Sequence, residues 1–583
     1  MTVVDPTMAR SGTKPTRGRG ARERAAWAFV APAMLAIGLF FAIPVIAALL
    51  LSLTDFDIYA LANLDNLRFV GLQNYERLLT NSLFWGAMKN TLTFAVLGVP
   101  LSIAASLAAA VILNARVVKW RPIWRVMFFA PYVTTLVATA VVWRYLLHTR
   151  YGVINWGLES IGLAAVDWLG DPSTSIPAIL MFVVWKIFGY NMLIFLAVLQ
   201  TVPDDLYEAA RIDGAGPWKQ FRHVTLPAIA PTMLLVSIIS VASFFQLFAE
   251  PYVMTQGGPA QSTVTVLYFM YEEGFKWWNL GSASAVAFVL FLCILALTLV
   301  QLAVAKRVGG VSMKIRAILL NLAVALIALI VLFPLVWMVS VSFMATGEAA
   351  VFPPPLLPSH WTLEHYRDLF LNQGMGRYLW NSFALATMAT ILALGFTVPA
   401  GYAFAKLKFK GRERLFQFLV AALVVPAQIG TLPLFLMLKG MGLVNTYAGA
   451  LAPWLASIFG LFLVRQYALS IPDEMLEAAR IDGASEGQIF RRVVLPTLQP
   501  IIVTLGLFVF LGSWNDFLRP LIILTDQSNY TLPVALASLS REHVQDIELM
   551  MAGAVVTVAP VLILFLALQR YYIRGMLAGS VKG

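Results

Sequence analysis

The chain has 583 residues, of which 60% are hydrophobic and only 12% are charged. A soluble domain typically carries roughly 25% charged residues, so this composition excludes a large soluble enzyme and indicates an integral membrane protein. The formal net charge of +11 comes from Lys and Arg placed between apolar runs. Because they are not gathered on one basic face, nucleic-acid binding is disfavoured.

Cys293 is the only cysteine, and it lies inside an apolar run. This excludes a disulfide framework and a cysteine-ligated metal site. The five histidines and the few acids within apolar runs form no pattern typical of a metal or acid–base site. We therefore expect no bound metal and no catalytic residues.

The first 26 residues form a basic tail ahead of an apolar run from Ala26 to Leu53. The run is longer than the apolar core of a signal peptide, which has about 7–15 residues. An uncleaved first span is therefore predicted.

Apolar runs of about 20 residues, each long enough to cross a bilayer as a helix, recur to the end of the chain. They predict an all-α integral membrane protein with about twelve transmembrane helices in two homologous six-helix halves. The predicted spans are 27–52, 91–114, 124–147, 176–200, 231–252, 281–305, 316–343, 382–405, 415–437, 448–468, 498–524 and 549–569.

Basic connections alternate with connections that are poor in Lys and Arg, as the positive-inside rule requires. This alternation predicts that both termini are cytoplasmic. The predicted organisation is a basic cytoplasmic tail (1–26), a first membrane domain (27–305), a cytoplasmic linker (306–316) and a second membrane domain (317–583).

An internal repeat connects the two halves. Glu208–Pro231 reads EAARIDGAGPWKQFRHVTLPAIAP and Glu477–Pro500 reads EAARIDGASEGQIFRRVVLPTLQP, with 14 of 24 positions identical at a constant offset of 269. Each copy, near 203–231 and 472–500, lies between the fourth and fifth spans of its half. Two parallel halves related by an axis normal to the membrane are therefore predicted.

Each copy predicts a helix, a tight turn and a second short helix. The EAAR segments are good helix formers, and Gly214 and Gly483 supply the left-handed turn that ends them. The second helix begins differently in the two copies: Pro217 takes the first helical position in one, and Ser485 with Gln488 predicts a capping box in the other. Both short helices are expected to end before a proline, which is Pro227 or Pro496.

A single loop of this kind is equally consistent with an amphipathic segment lying on lipid headgroups. Two copies at equivalent cytoplasmic positions favour a pair of similar docking surfaces for a two-fold partner.

The EAA pattern with a Gly at the turn resembles the coupling loop of binding-protein-dependent ABC importer permeases, which have the type I importer transmembrane fold. The first half is similar to the maltose-type first permease and the second half to its partner permease. The segments that carry this similarity are Phe69–Leu79, Ile154–Leu163, Ala249–Pro259, Gly512–Leu524 and the ending QRYYIRGMLAGSVKG.

The resemblance implies that each EAA helix seats in a groove of a cytoplasmic ATPase subunit, two copies in all. No G-x-x-x-x-G-K-[ST] phosphate loop occurs in the chain, so ATP and Mg would be used by that partner, and no cofactor is expected on this chain. The predicted ATPase-coupling residues are Glu208, Ala209, Ala210, Asp213, Gly214, Glu477, Ala478, Ala479, Asp482 and Gly483.

The resemblance also implies a carbohydrate substrate, delivered by an extracytoplasmic binding protein; a glycerol-phosphate ester remains an alternative. Side chains near the first EAA loop that could hydrogen-bond to or stack on a sugar are Tyr190, Asn191, Ser243, Phe244 and Gln246. Each is also consistent with helix packing, because polar side chains hold helices together in membranes.

Four ionisable residues fall in or beside spans, namely Arg144, Lys186, Glu250 and Asp516. We expect mostly structural roles: Arg144 and Lys186 would snorkel to an interface, Glu250 would sit at a helix end, and Asp516 would line a cavity or tie helices together. The alternative function is a secondary transporter with parallel six-helix repeats, which would need relay carboxylates deep in the bundle.

Overall fold

The computed structural model describes residues 17–115, 117–304, 317–543 and 546–580. Within these residues the regular structure is helical. The predicted linker at 306–316 and the first sixteen residues of the basic tail lie outside the described residues.

Eight helices are long and apolar enough to cross a membrane, and four bent helix pairs bring the number of candidate spans to twelve in the part of the chain that was described. The predicted number of spans is therefore confirmed. In chain order the spans are Gly20–Ser52, Ser82–Asn114, Arg121–Val133 with Leu136–Leu146, Pro172–Leu199, Phe221–Phe245, Leu280–Ala303, Val324–Val341, Met375–Lys406, Arg412–Ala422 with Ala427–Gly440, Tyr447–Trp454 with Ile458–Ala468, Glu486–Thr497 with Gln499–Asn515, and Ile547–Leu568.

The third span of each half is sharply bent, by 94° in the third span of the chain and by 90° in the ninth. Pro131 lies in the last turn before the first bend, and Pro426 lies at the second. Proline lacks a backbone N–H and interrupts the helical ladder. The prediction treated both spans as continuous, so it missed these breaks.

The fifth and eleventh spans end earlier than predicted, at Phe245 and Asn515. Pro251 and Pro520, which have no backbone N–H to donate, lie in the segments that follow. A separate short helix follows each span: Ala249–Met254 and Leu518–Ile523.

The two halves meet through equivalent residues. Phe248 and Phe517 are related by the repeat offset of 269, and their rings stack with centroids 6.2 Å apart. A contact between equivalent residues is typical of a two-fold interface.

The first span of each half packs on the opposite half. Ala26, Val30, Ala33 and Ile37 are buried in an apolar cluster whose other buried members belong to the second half. The seventh span joins the large cluster that contains most of the buried residues of the first half, where Trp185 Nε1 donates to the Val331 carbonyl at 2.9 Å. The halves are therefore interlocked by an exchange of spans.

This exchange predicts that the linker is a passive tether. A chain cut within 306–316 and co-expressed as two pieces is expected to assemble with the thermal stability of the intact protein, because spans on both sides of the cut form the shared apolar clusters. Pull-down through a tag on one piece, followed by a thermal unfolding scan, measures both quantities.

The control for this cut is the same pair of pieces with residues 20–52 deleted from the first, which should associate much more weakly. Failure of the complete pieces to associate, although both are inserted in the membrane, would show that the linker has a structural role.

Candidate functional site

The two repeat loops, residues 203–231 and 472–500, fold alike. Their first helices are Asp204–Ile212 and Asp473–Ile481. Gly214 and Gly483 follow with φ of 71° and 82°, which confirms the predicted left-handed turns.

Each of these turns is a Schellman motif. Ala215 N donates to the Ala210 carbonyl at 2.8 Å, and Ala484 N donates to the Ala479 carbonyl at 3.0 Å. The shorter bonds of the motif, from Gly214 N and Gly483 N, are present as well. The bonds satisfy carbonyls at the helix end, so the turn is rigid in both copies.

The second short helices begin as predicted. One starts at Pro217, and the other has Ser485 and Gln488 in a reciprocal capping box. The expected ends before Pro227 and Pro496 are wrong. Each helix continues through a π-helical segment, Phe221–Thr225 or Phe490–Val494, into the next helix. The wider π turn lets the chain pass a proline that cannot donate a backbone hydrogen bond.

The predicted docking acids are accessible in both loops. Glu208 has 61% of its side chain exposed and lies 3.5 Å from Arg211, a pair that solvent screens strongly. Glu477 is exposed as well. Ala209 and Ala478 are exposed beside them, so each helix offers a small, closely approachable face next to an acid.

Ile212 and Ile481, which the sequence analysis did not single out, are the last residues of the two helices and are 87% and 85% exposed. Burying a side chain of this size contributes about 1.5–3 kcal/mol. The repeat itself could have identified them, because both copies of this polar loop have isoleucine at the same position.

The second repeat loop has one internal ion pair and one ion pair to the membrane body. Arg480 and Glu486 are 2.8 Å apart and largely buried, and this hydrogen bond raises the pKa of Arg480. Lys406, at the end of the eighth span, lies 2.8 Å from Asp473, and its hydrogen bond lowers the pKa of that carboxyl. In the first loop Pro217 stands where Glu486 stands in the second, so the two loops are held differently.

Two of the predicted substrate residues, Gln246 and Tyr190, differ in their surroundings. Gln246 lines a cavity of about 570 Å³. The Tyr190 ring stacks on Tyr132 with centroids 4.6 Å apart. Their substrate roles stay predictions.

The other three predicted substrate residues contact neighbouring helices or their own backbone. Asn191 donates to Ser240 Oγ at 3.3 Å, and the Ser243 hydroxyl donates to a carbonyl of its own helix. Phe244 fills the space above Gly98, where a Cβ would lie 2.1 Å from the ring. These contacts are those of helix packing, and a substrate role for the three also stays a prediction.

The prediction that Lys186 snorkels to an interface is wrong, because its side chain is buried in the bundle. Its Nζ donates to the Pro131 carbonyl at 2.6 Å, to the Thr134 carbonyl and to the Thr134 hydroxyl. Thus an amine of the fourth span caps the carbonyls freed where the third span breaks. The buried Glu250 is close enough for its charge to act on Lys186.

The second half has no equivalent cap. At the repeat offset of 269, Leu455 takes the place of Lys186 and Arg519 takes the place of Glu250. Arg519 lies 3.6 Å from Asp516 and 5.1 Å from the ring of Trp454.

Two of the other polar residues tie the halves together. Asn515 Nδ2 donates to the Val133 carbonyl at 3.4 Å, and Arg144 donates to the Ser540 carbonyl at 3.5 Å. Asn515, which precedes Asp516, therefore links the second half to the break in the third span.

The sequence pattern of the family described as binding-protein-dependent transport system inner membrane component matches residues 98–310 and 397–578. The two matches fall in the two halves and together span more than half of the chain.

Two relatives illustrate the match. The chain is 37% identical to the arabinooligosaccharides transport system permease protein AraQ of Halalkalibacterium halodurans, over 46% of this chain and 96% of that protein. It is 35% identical to the lactose transport system permease protein LacF of Rhizobium radiobacter, over 48% of this chain and 94% of that protein.

A solved structure also matches: a bacterial ABC transporter involved in the import of the acidic polysaccharide alginate, at 23% identity and a TM-score of 0.41. The match covers 45% of this chain and 100% of that chain.

Proposed function

The chain belongs to the family of binding-protein-dependent transport system inner membrane components, and from this membership we propose that it is the complete membrane pathway of an ATP-driven carbohydrate importer. Both permease units, which the matched relatives have as separate proteins, are joined in one polypeptide. The joining fixes their ratio at one to one.

The observation that carries this proposal is the pair of repeat loops. Both loops connect the fourth and fifth spans of their halves, so six spans separate them and they emerge on the same side of the membrane. Each presents an exposed acid, a small alanine face and an exposed isoleucine. Two equivalent surfaces on one side fit two copies of a cytoplasmic ATPase.

A rigid loop is what mechanical coupling requires. The Schellman turn fixes the first short helix against the second, and the second runs through its π segment toward the fifth span of its half. Displacement of a docked ATPase would therefore be passed to a span and not absorbed by a flexible connection. ATP and Mg would be bound by the ATPase, and the chain would place both termini in the cytoplasm.

The names of the matched permeases support a carbohydrate substrate, since they refer to arabinooligosaccharide and lactose transport systems. We propose that an extracytoplasmic binding protein delivers an oligosaccharide to the face opposite the repeat loops. A glycerol-phosphate ester, which also carries hydroxyl groups, is the alternative substrate.

Transport in proteoliposomes tests this function. The full chain would be reconstituted with the cognate ATPase and binding protein, and uptake of a radiolabelled sugar would be followed with and without ATP and with and without an uncoupler. We expect uptake that requires ATP and survives the uncoupler. Uptake that is abolished by the uncoupler and does not depend on ATP would identify a secondary transporter.

A further inference from the structure

The cavity of about 570 Å³ that Gln246 lines lies mainly in the second half of the chain, between its third, fourth and fifth spans. Its volume is in the range of small-molecule sites, about 300–1,000 Å³. The first half contributes Gln246 and one side of its exchanged first span, which includes Phe40 and Phe41. The cavity is therefore assembled only when both halves are in place.

The broken ninth span supplies one wall. Val425–Gln428 lie at its 90° bend and line the cavity. Irregular backbone at membrane depth is tolerated where it is buried in protein or lines a cavity. In the first half Lys186 seals the matching break, but Leu455 has no donor with which to do so. The second break thus faces open space.

Gln428 Oε1, in the cavity wall, is buried and has no hydrogen bond among the described residues. Behind the wall, Asp516 Oδ2 forms an ion pair with Arg519 at 3.6 Å. Buried polar atoms are nearly always hydrogen-bonded, to protein or to a bound molecule. The Gln428 acceptor and the Arg519 guanidinium donors, both in the cavity wall, offer complementary partners to a hydroxyl group, which both donates and accepts.

The cavity also has an aromatic surface. Trp454, Phe459 and Phe508 line it, and the Arg519 guanidinium holds its place over the Trp454 ring at 5.1 Å. A sugar ring has apolar C–H faces that pack on aromatic rings while its hydroxyls point to polar side chains at the edge.

We propose that this cavity is a sugar-binding subsite of the second half, with Trp454 as the stacking surface and with Gln246, Gln428 and Arg519 as hydrogen-bonding partners. The inference rests on the proposed function. The subsite takes an uncharged sugar ring, because Asp516 at 3.6 Å balances the charge of Arg519 and leaves a pair suited to hydroxyls and not to an isolated carboxylate.

The kinetics of ATP-driven uptake in the same proteoliposomes test the subsite. Arg519→Gln is expected to raise the KM for the transported sugar roughly tenfold to a hundredfold, the loss typical of a hydrogen bond to a charged group. Trp454→Ala should raise KM as well, and Trp454→Phe should restore much of the loss because it keeps an aromatic surface. Trp361→Ala removes an exposed tryptophan away from the cavity and is the matched control.

Tyr190→Ala provides the comparison with the first half. The proposal requires that Gln246→Ala and Trp454→Ala raise KM more than Tyr190→Ala does. The reverse order would place the principal site in the first half and overturn the inference. An acidic trisaccharide that competes better than a neutral trisaccharide of the same length would overturn the assignment to uncharged rings.

A protection measurement on a different variant tests the subsite even if the kinetic variants fold poorly. Ser457→Cys, in the full chain with Cys293→Ala, places a thiol in the cavity wall, and the transported sugar should slow its modification by a methanethiosulfonate reagent. Unchanged modification in a chain that does transport the sugar would refute the subsite and leave the proposed function intact. Absence of ATP-driven uptake by the unaltered chain would refute the function itself.

Discussion

The double variant Glu208→Lys, Glu477→Lys is expected to lose the ATPase on purification and to lose uptake. Each glutamate is exposed on a rigid helix beside a small alanine face, and we propose that each pairs with a basic residue of one ATPase subunit. Truncating one member of a buried, hydrogen-bonded charge pair at an interface costs about 2–5 kcal/mol. Per site, this corresponds to roughly a 30-fold to several-thousand-fold loss of affinity.

Charge reversal should be more damaging than Glu→Ala at the same positions, because lysine adds repulsion against a basic partner. Co-purification of the tagged ATPase and uptake in proteoliposomes measure the two consequences. The matched control for ATPase co-purification is Glu159→Lys with Glu364→Lys, which makes the same change of net charge at exposed acids of loops on the opposite face. Wild-type ATPase binding and uptake in the Glu208, Glu477 double variant would refute the coupling assignment.

The single variants need not be equal. Lys406 anchors the first helix of the second loop to the membrane body, and the Arg480–Glu486 pair links the two short helices of that loop, whereas the first loop has Pro217 in place of Glu486. A loop held by the membrane body loses less conformational entropy on docking. We therefore expect Glu477→Lys to remove more binding free energy than Glu208→Lys does.

Local features of the fold were predictable because they depend on neighbouring residues. The apolar runs determine where spans occur, Gly214 and Gly483 determine the turns, and Ser485 with Gln488 determines a cap. The repeat offset then showed which features occur in both halves.

Features that depend on distant residues were not predictable in this way. No local pattern shows that Ala26 and Val30 pack on the second half, or that the bend after Pro131 meets a lysine 55 positions later. The cavity was missed for the same reason: its lining comes from five spans of both halves and from the segments that follow the fifth and eleventh spans. Only Gln246 among its polar residues had been identified.

Lys186→Met is expected to be destabilising, although the sequence predicted only that Lys186 would snorkel to an interface. The variant keeps a long apolar side chain but removes the donor that serves Pro131 and Thr134. It also leaves the carboxylate of the buried Glu250 without the nearby amine. Leaving a buried polar group without its hydrogen-bond donor typically costs about 1–3 kcal/mol.

The size of this effect can be separated into its two causes by a double-mutant cycle. Glu250→Gln added to Lys186→Met removes the uncompensated charge, so the double variant should recover part of the lost thermal stability. It should not recover all of it, because the Thr134 carbonyl stays without the amine, whereas the Pro131 carbonyl keeps the Thr134 hydroxyl as its donor. Leu455→Met is the matched control, because it places methionine at the equivalent position of the second half, where there is no amine to lose. Thermal unfolding of the purified full-length variants measures each term. If Lys186→Met unfolds at the temperature of the wild type, the amine does not stabilise the break. If the double variant recovers no thermal stability, Glu250 is not coupled to Lys186, and the lost hydrogen bonds to the carbonyls alone account for the destabilisation.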